Sequence, residues 1–209
     1  LRMSGRVLVA QRGAKRPLHT HVVLHLAPDA THAAQELWFV DPRTFGEVVV
    51  FDPNRAASVV PELVRLGIDP LVDDFTADAL YRLMHPKRGS LKAVLLDQHV
   101  VAGIGNIYAD EILHVARLRP HRVPARLSRV TIDRLYRAIV DVLGSAVEAG
   151  GSTLADSQYV DLDGESGSYQ QQHRVYGRAG ETCLTCGSAR IAQTVVAGRT
   201  TCYCPRCQR

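Results

Sequence analysis

The chain has 209 residues, of which 46% are hydrophobic and 22% are charged, and its formal net charge is +4. This length and composition fit a globular protein with one large or two small cores and exclude a disordered chain. The small positive charge is compatible with a polyanionic partner but is too common to identify one. The sequence contains neither a run of about eighteen apolar residues nor an N-terminal secretory pattern, so we expect a soluble, cytoplasmic protein without a membrane span.

Residues 1–52 have the pattern of β-strands. Four short runs rich in Val, Leu and Phe, separated by Gly, Pro and Asp turn residues, lie at positions 7–9, 21–26, 37–40 and 48–51. Four strands are half of a sandwich, and an incomplete sheet would expose an apolar face and open edges. Because the chain also begins in what resembles the middle of a strand, we expect a preceding segment to complete this domain.

Residues 53–75 contain three prolines and few periodic apolar positions, so they predict a linker with one short helix near 59–66. From residue 76, apolar residues recur at helical spacing and predict a bundle of about four helices. Ser128 is the expected N-cap of the last one, which ends at Gly150 and Gly151. The polar residues that follow predict a loop returning to the helical core.

Within the bundle, residues 95–113 (LLDQHVVAGIGNIYADEIL) predict two helical segments joined by a short turn. Gly103 and Gly105 can adopt backbone dihedral angles that other residues avoid, which permits the short connection. Asn106 begins the second segment, where its side chain can accept from the first-turn N–H groups and where the helix dipole favours a phosphate. A capped helical hairpin without a ligand explains the same pattern equally well.

The C-terminal residues carry two Cys-x-x-Cys pairs, Cys183 with Cys186 and Cys204 with Cys207, with seventeen residues between them. This spacing is typical of two knuckles on one tetrahedral ion, and four thiolates leave no open coordination position, so we expect one structural Zn²⁺. Two disulfides or a redox dithiol are the alternatives, and they suit an intracellular chain less well. Cys202 is too close to Cys204 for a knuckle, so we expect it to be unligated.

The residues between the knuckles, 190–202, predict a β-hairpin with its turn at Ala197 and Gly198 and with Arg199 at the tip. A guanidinium on a stiff hairpin suits a phosphate contact, because its donors are placed with little further loss of entropy. An exposed arginine without a ligand is the alternative.

The run DQHVVAGIGNIYADE at 97–111 closely resembles the helix-two-turns-helix signature of the formamidopyrimidine-DNA glycosylase and endonuclease VIII family. The resemblance covers essentially the whole chain. The stretch YVDLDGESG at 159–167 is more similar to the 8-oxoguanine-type branch, in which this loop covers the everted base. The resemblance implies an α+β multi-domain fold with a remnant of an N-terminal β-sandwich domain (1–52), a linker (53–75), a helix-two-turns-helix domain with a lesion-recognition loop (76–172) and a zinc finger with a β-hairpin (173–209).

The resemblance also implies which residues probe the lesion. The opening LRMSG matches a motif whose methionine, here Met3, enters the space left by the everted nucleotide. The run DPRTFG at 41–46 matches a loop whose Arg43 and Phe45 face the orphaned base. By residue type alone, Met3 and Phe45 would more often be core residues.

Four further residues are implied as DNA contacts, mainly to phosphates: His19, Lys92, Asn106 and Arg199. By residue type alone, the basic loop around His19 and a helix-surface lysine such as Lys92 would more often be solvated and without a ligand.

The family's chemistry is nucleophilic catalysis by the amine of an N-terminal proline, followed by a glutamate, which forms a Schiff base at the sugar. No residue of this chain matches either one, so we expect the catalytic residues upstream of Leu1. The resemblance implies a base-excision-repair DNA glycosylase with abasic-site lyase activity on oxidised purines (formamidopyrimidine and 8-oxoguanine). The implied partner is double-stranded DNA with oxidised bases or abasic sites, bound by a monomer at the nucleoid.

Two alternatives remain open from the sequence. One is a naturally truncated relative that binds damaged DNA without cutting it. The other is a zinc-ribbon interaction module on a helical scaffold, with no nucleic-acid role. The salt dependence of DNA binding separates the second from all DNA-binding hypotheses, because phosphate contacts release counterions.

Overall fold

A computed structural model of the chain describes residues 1, 4–154 and 159–209. The chain divides into two compact units, one made of Leu1–Asp52 and Ala146–Gln172, the other of Pro53–Ser145 and His173–Arg209. The predicted domain bounds, with a helix-two-turns-helix domain and its lesion-recognition loop at 76–172, stay a prediction, and the described part of Ala146–Gln172 belongs to the first of these two units. One reason is a backbone hydrogen bond of 2.8 Å from Val9 N to Leu162 O, which joins this segment to the first strand.

The first unit contains an antiparallel sheet of β1 (Arg6–Gln11), β2 (Thr20–Leu26) and β3 (Gln35–Val40). The strand order is β1-β3-β2, so β3 is the central strand. Trp38 on β3 lies opposite Leu8 on one side and Val23 on the other, which packs large apolar side chains across all three strands.

The predicted strand at 48–51 is wrong. These residues adopt no strand conformation, and Val50 is 93% exposed. Three consecutive valines have high strand propensity, but propensity forms a strand only where a neighbouring strand supplies hydrogen bonds. None of the pairings in the described part of the sheet involves these residues.

The second unit contains most of the helices and a two-stranded hairpin. No helix among residues 1, 4–154 and 159–209 has both the length and the apolar character needed to cross a membrane. The helices are α1 (Ala56–Val59), α2 (Pro61–Val64), α3 (Ala77–Met84), α4 (Leu91–Leu95), α5 (Asn106–Val115) and α6 (Arg129–Glu148), and the hairpin strands are β4 (Ala192–Val196) and β5 (Arg199–Tyr203).

The long helix α6 confirms its predicted pattern. Ser128 accepts a hydrogen bond of 3.3 Å from Thr131 N at the start of the helix, and Gly150 and Gly151 both have positive φ just after its end. The apolar stripe is buried throughout, with Ile132, Leu135, Ile139, Val142, Leu143 and Ala146 all inside the protein.

The segment predicted as a linker has more structure than expected. It contains two single-turn helices instead of one, because Val60 precedes Pro61 and has a non-helical backbone. Further on, Gly67 N donates to Gln98 O and Ala102 N donates to Ile68 O, at 2.8 and 2.9 Å. These bonds attach the end of the segment to the turn that precedes α5.

The turn between α4 and α5 differs from the prediction in two details. Gly103 has φ of 85°, as predicted, whereas Gly105 has an extended backbone that other residues also adopt. Gly105 is the N-cap of α5, and Asn106 is its first residue. The predicted capping role of Asn106 is therefore wrong, and its side chain points to another partner. Gln98 closes the turn by accepting from Gly103 N and donating to Ile104 O.

Candidate metal centre and nucleic-acid interface

The four paired cysteines form one cluster, as predicted. Their sulfur atoms all lie within 4.8 Å of one another, and the Cys183–Cys207 and Cys186–Cys204 sulfur pairs are 3.8 Å apart. Four sulfurs at Zn–S distances of about 2.3 Å in a tetrahedron are about 3.8 Å apart, so these positions fit Zn²⁺ and are too far apart for disulfides.

The electrostatics of the cluster also fit a divalent cation. Backbone N–H groups at Ala189 and Ser188 lower the pKa of Cys186 to about 5, with the Ala189 bond as the largest cause. Burial, followed by the neighbouring thiols, raises the pKa of Cys207 to about 12. Four thiolates so close together repel one another, and a cation bound between them removes that cost.

The hairpin has the predicted form. Ala197 and Gly198 both have positive φ and form the turn, and Val196 pairs with Arg199. Arg199 is exposed at this tip. Cys202 lies on β5 with its side chain buried, and it is not among the four cysteines of the cluster.

Helix α5 holds the hairpin through two adjacent carboxylates that are both buried, Asp110 and Glu111. Asp110 Oδ2 accepts from Cys202 N at 2.8 Å. Glu111 accepts from the backbone N–H groups of Arg174, Val175 and Tyr176, at 2.8 to 2.9 Å. These carboxylates supply acceptors for backbone N–H groups that the hairpin and the segment before it do not satisfy internally.

Lys92 on α4 completes this buried network. Its side chain is fully buried, and its ammonium lies 2.6 Å from Asp110 Oδ1, 2.8 Å from Thr201 Oγ1 and 3.1 Å from Thr200 O. Burial lowers the pKa of Lys92 and raises that of Asp110 to about 6, while the attraction between them opposes both shifts.

The predicted contact between Lys92 and a phosphate stays a prediction, whereas the side chain itself is buried and not on the helix surface. Its three N–H bonds are surrounded by three internal acceptors, so none faces solvent. Lys92 positions Thr200 and Thr201, which directly follow Arg199.

Asn106 contacts strand β5 as well. Its Nδ2 donates to Thr200 O at 3.1 Å, the carbonyl that Lys92 also contacts, and its Oδ1 has no hydrogen-bond partner among the described residues. Lys92 and Asn106 therefore both contact the residue that directly follows Arg199. Arg199 is exposed, Asn106 is partly exposed and Lys92 is buried.

In the first unit, one buried carboxylate organises the loop that carries Arg43 and Phe45. Asp41 accepts from Ser4 Oγ and Gly46 N, both at 2.6 Å, and from Arg43 N at 3.2 Å. The Ser4 bond is the largest of the causes that lower the pKa of Asp41 to about 2. Asp41 therefore connects this loop to the LRMSG motif.

The loop presents its predicted residues to solvent. Phe45 is 53% exposed, and the Arg43 guanidinium carbon lies 4.7 Å from the centre of its ring. His19 is also exposed and has φ of 65°, and its carbonyl accepts from Asp41 N at 3.0 Å. Met3 lies outside the described residues.

Comparison with known proteins identifies the family. The family model "Formamidopyrimidine-DNA glycosylase N-terminal domain" matches residues 1–48, "Formamidopyrimidine-DNA glycosylase H2TH domain" matches 66–158, and "Zinc finger found in FPG and IleRS" matches 180–209. The formamidopyrimidine-DNA glycosylase of Desulfitobacterium hafniense is 40% identical over 208 residues, which are all of this chain and 72% of that protein. That of Thermus thermophilus is 42% identical, over 98% of this chain and 76% of the relative.

The chain belongs to the formamidopyrimidine-DNA glycosylase family.

Solved structures of the family agree with the fold. The complex between Lactococcus lactis Fpg and DNA containing an abasic site has a TM-score of 0.84 at 32% identity, and it covers all of this chain and 73% of that one. MutM in complex with DNA containing carbocyclic 8-oxo-G has a TM-score of 0.83 at 31% identity, over 100% and 72% of the two chains. The α+β multi-domain fold and the single structural zinc ion are thus properties of this chain and its family.

Several residues that build the sites carried no functional prediction: Asp41, Asp110, Glu111 and Thr200. Asp110 and Glu111 stand in the family signature, and two adjacent acids in an apolar helix were a signal of buried partners. The backbone N–H groups that they accept from lie 63 to 92 residues away in sequence, so the sequence did not indicate what these partners were.

We predict that the zinc ion is retained by Cys202→Ala and lost by Cys204→Ala. Both changes remove a buried thiol from the same strand region, but only Cys204 is a ligand. Binding of a structural zinc ion contributes about 10–16 kcal/mol in finger peptides, so the hairpin should be ordered only with the metal. Metal analysis and amide exchange over 192–203 measure both effects. Equal zinc content in the two variants would contradict the assignment.

We predict strong coupling between Lys92 and Asp110. Lys92→Met and Asp110→Asn should each lower the free energy of unfolding by roughly 3–5 kcal/mol, because each leaves a buried charge unpaired. The double variant should lose clearly less than the sum. Arg129 and Asp78 form an exposed ion pair of 2.5 Å and provide the control, with losses of about 1 kcal/mol or less. Urea denaturation of the zinc-loaded proteins measures these losses, and additivity at the buried pair would refute the coupling.

We predict that Asp41 makes stability depend on pH in the acid range. Its pKa falls from 3.8 when unfolded to about 2 when folded, so its contribution is fully present above about pH 4 and is lost as the pH falls towards 2. Asp41→Asn should therefore lower the Tm at pH 7 and flatten its decline between pH 4 and 2. The exposed Asp163→Asn in the same unit is the control and should leave the curve unchanged. Parallel curves for wild type and Asp41→Asn would argue against this role.

Proposed function

We propose that this chain is the DNA-binding and lesion-probing portion of a base-excision-repair DNA glycosylase with abasic-site lyase activity. Its substrates are oxidised purines, formamidopyrimidine and 8-oxoguanine, in double-stranded DNA, and abasic sites. The observation that carries the proposal is the surface formed by Asn106 and Arg199, which the buried Lys92–Asp110 pair holds in place. We call this surface the phosphate clamp.

The phosphate clamp has the chemistry of an anion site. Asn106 is the first residue of α5, where backbone N–H groups and the helix dipole attract negative charge. One N–H of its amide is used by Thr200 O, and the other is available for a phosphate oxygen. Arg199 adds a guanidinium on a hairpin anchored by metal and by Asp110, so little entropy is lost on binding.

Residues of the other unit supply the lesion-probing part of the proposal. Arg43 and Phe45 are exposed, stacked on each other and fixed by a loop that Asp41 ties together. An aromatic ring and a guanidinium suit an unpaired base, since the ring can stack on it and the guanidinium can donate to its edge. Met3 and His19 complete the proposed set by family resemblance.

In the proposed function, the catalytic residues are not among the DNA-binding and lesion-probing residues of this chain. The relatives that the chain matches are longer, since it spans 72% of the Desulfitobacterium protein. In the complete protein, the family's N-terminal proline and glutamate would supply the nucleophilic chemistry. We further propose that the protein acts as a monomer in the cytoplasm and is associated with the nucleoid when it is bound to DNA.

We predict distinct signatures for the two clamp residues. Arg199→Ala should weaken binding to lesion and undamaged duplexes by the same factor. It should also reduce the slope of the logarithm of the binding constant against the logarithm of the salt concentration by about 0.9 in magnitude, the value for one phosphate contact. Asn106→Ala should weaken both by a similar factor but leave the slope nearly unchanged, because its amide is neutral. Fluorescence anisotropy with matched duplexes, one containing an abasic-site analogue, measures both quantities.

Two further variants test the assignment. Arg137 is exposed on α6 and paired with Asp133 at 2.7 Å, so Arg137→Ala is a charge-matched control that should change neither quantity. Arg43→Ala should reduce the preference for the lesion duplex and leave binding to undamaged DNA nearly unaltered. If Arg199→Ala binds like wild type at every salt concentration, the phosphate clamp is refuted. Absence of salt-dependent DNA binding in the unaltered protein would refute the proposed function itself.

A further inference from the structure

His114 is a buried histidine next to the metal centre, on a different element from the ligands. It lies on α5, is only 2% exposed, and its Nε2 is 3.7 Å from the sulfur of Cys183. Its other ring nitrogen, Nδ1, has no hydrogen-bond partner among the described residues.

The bound metal decides which nitrogen carries the proton. When Cys183 binds Zn²⁺ it is a thiolate, which can accept a hydrogen bond but has no proton to donate. Nε2 must then be the donor. In the other tautomer, the lone pair of Nε2 would face a negatively charged sulfur. Its proton would be on Nδ1, where the described residues offer no acceptor.

The other cysteines show why such a donor matters. Cys186 receives the N–H of Ala189, and Cys204 receives the N–H of Cys207 at 3.4 Å, both from within their own knuckles. Cys183 receives a side-chain donor from a helix more than sixty residues earlier in the chain. Four thiolates and one Zn²⁺ carry a net charge of −2, and Asp110 and Glu111 lie on the same helix. A hydrogen-bond donor that offsets part of the negative charge on a buried thiolate therefore stabilises the centre.

We infer that His114 donates Nε2–H to the Cys183 thiolate and thereby retains the zinc ion and fixes the first knuckle on α5. It completes a row of three polar residues spaced four apart on this helix, Asn106, Asp110 and His114. They contact Thr200, Cys202 and Cys183 respectively. The same face of α5 thus carries the phosphate clamp at its start and the support of the metal centre at its end.

Zinc release tests the inference without DNA. The zinc-loaded protein is mixed with an excess of a chelating dye, and the rate of zinc transfer is followed for wild type, His114→Phe and His114→Gln. Phe fills a similar volume without a donor, so release should be roughly ten- to hundredfold faster, the usual effect of removing such a partner. Gln can place an amide N–H near the position of Nε2 and should restore most of the retention. Equal release from wild type and a folded His114→Phe variant would overturn the inference.

A second measurement uses the unaltered protein and does not depend on how the variants fold. With ¹⁵N-labelled histidine, long-range proton–nitrogen spectra of the zinc-loaded protein report which ring nitrogen of His114 is protonated. The inference requires the proton on Nε2, and substitution of zinc by ¹¹³Cd should add a coupling between that proton and the metal through the hydrogen bond. A proton on Nδ1 would exclude donation to Cys183 and reject the inference.

Discussion

The buried contact between Lys92 and Asp110 is the constraint on which the arrangement of the helical unit depends. Removing an ammonium and a carboxylate from water costs several kcal/mol each, and the cost is offset only where geometry and additional hydrogen bonds are good. Here the ammonium reaches Thr200 and Thr201, and the carboxylate reaches Cys202 N. A shift of β5 along α5 would leave a buried charge without partners. The pair therefore favours one position of the hairpin, and with it one position of Arg199.

Helix and strand geometry make this arrangement possible. Four residues of an α-helix rise about 6 Å and two residues of a strand rise about 6.8 Å, so the two elements stay nearly in step over a short distance. Asn106 contacts Thr200. Asp110 lies four residues after Asn106 on the helix and contacts Cys202, which lies two residues after Thr200 on the strand. Glu111 extends the same face to the segment that leads into the first knuckle. The cysteine cluster and the helix thus hold the hairpin at two places.

The strand unit uses a related device on a smaller scale. Asp41 holds its loop closed through Gly46 N and joins it to Ser4, so that Arg43 and Phe45 stand exposed on a fixed backbone. In both units a buried carboxylate positions residues that are themselves at the surface. Substitution of such a carboxylate should therefore alter the positions of surface residues that are themselves unchanged.

The sequence by itself determined the features that depend on neighbours along the chain. Cysteine spacing predicted the zinc cluster, Ala197 and Gly198 predicted the hairpin turn, and the apolar stripe predicted α6, because each rests on residues a few positions apart. The family signature located Asn106 but not its partner. Only the tertiary structure decided that Lys92 is buried, that 48–51 is not a strand and that Leu162 bonds to the first strand. Those outcomes depend on partners that are distant in sequence. Lys92, for example, donates to Thr201, 109 residues away. Neither periodicity nor propensity encodes which distant group will pair with a buried charge or with the edge of a strand.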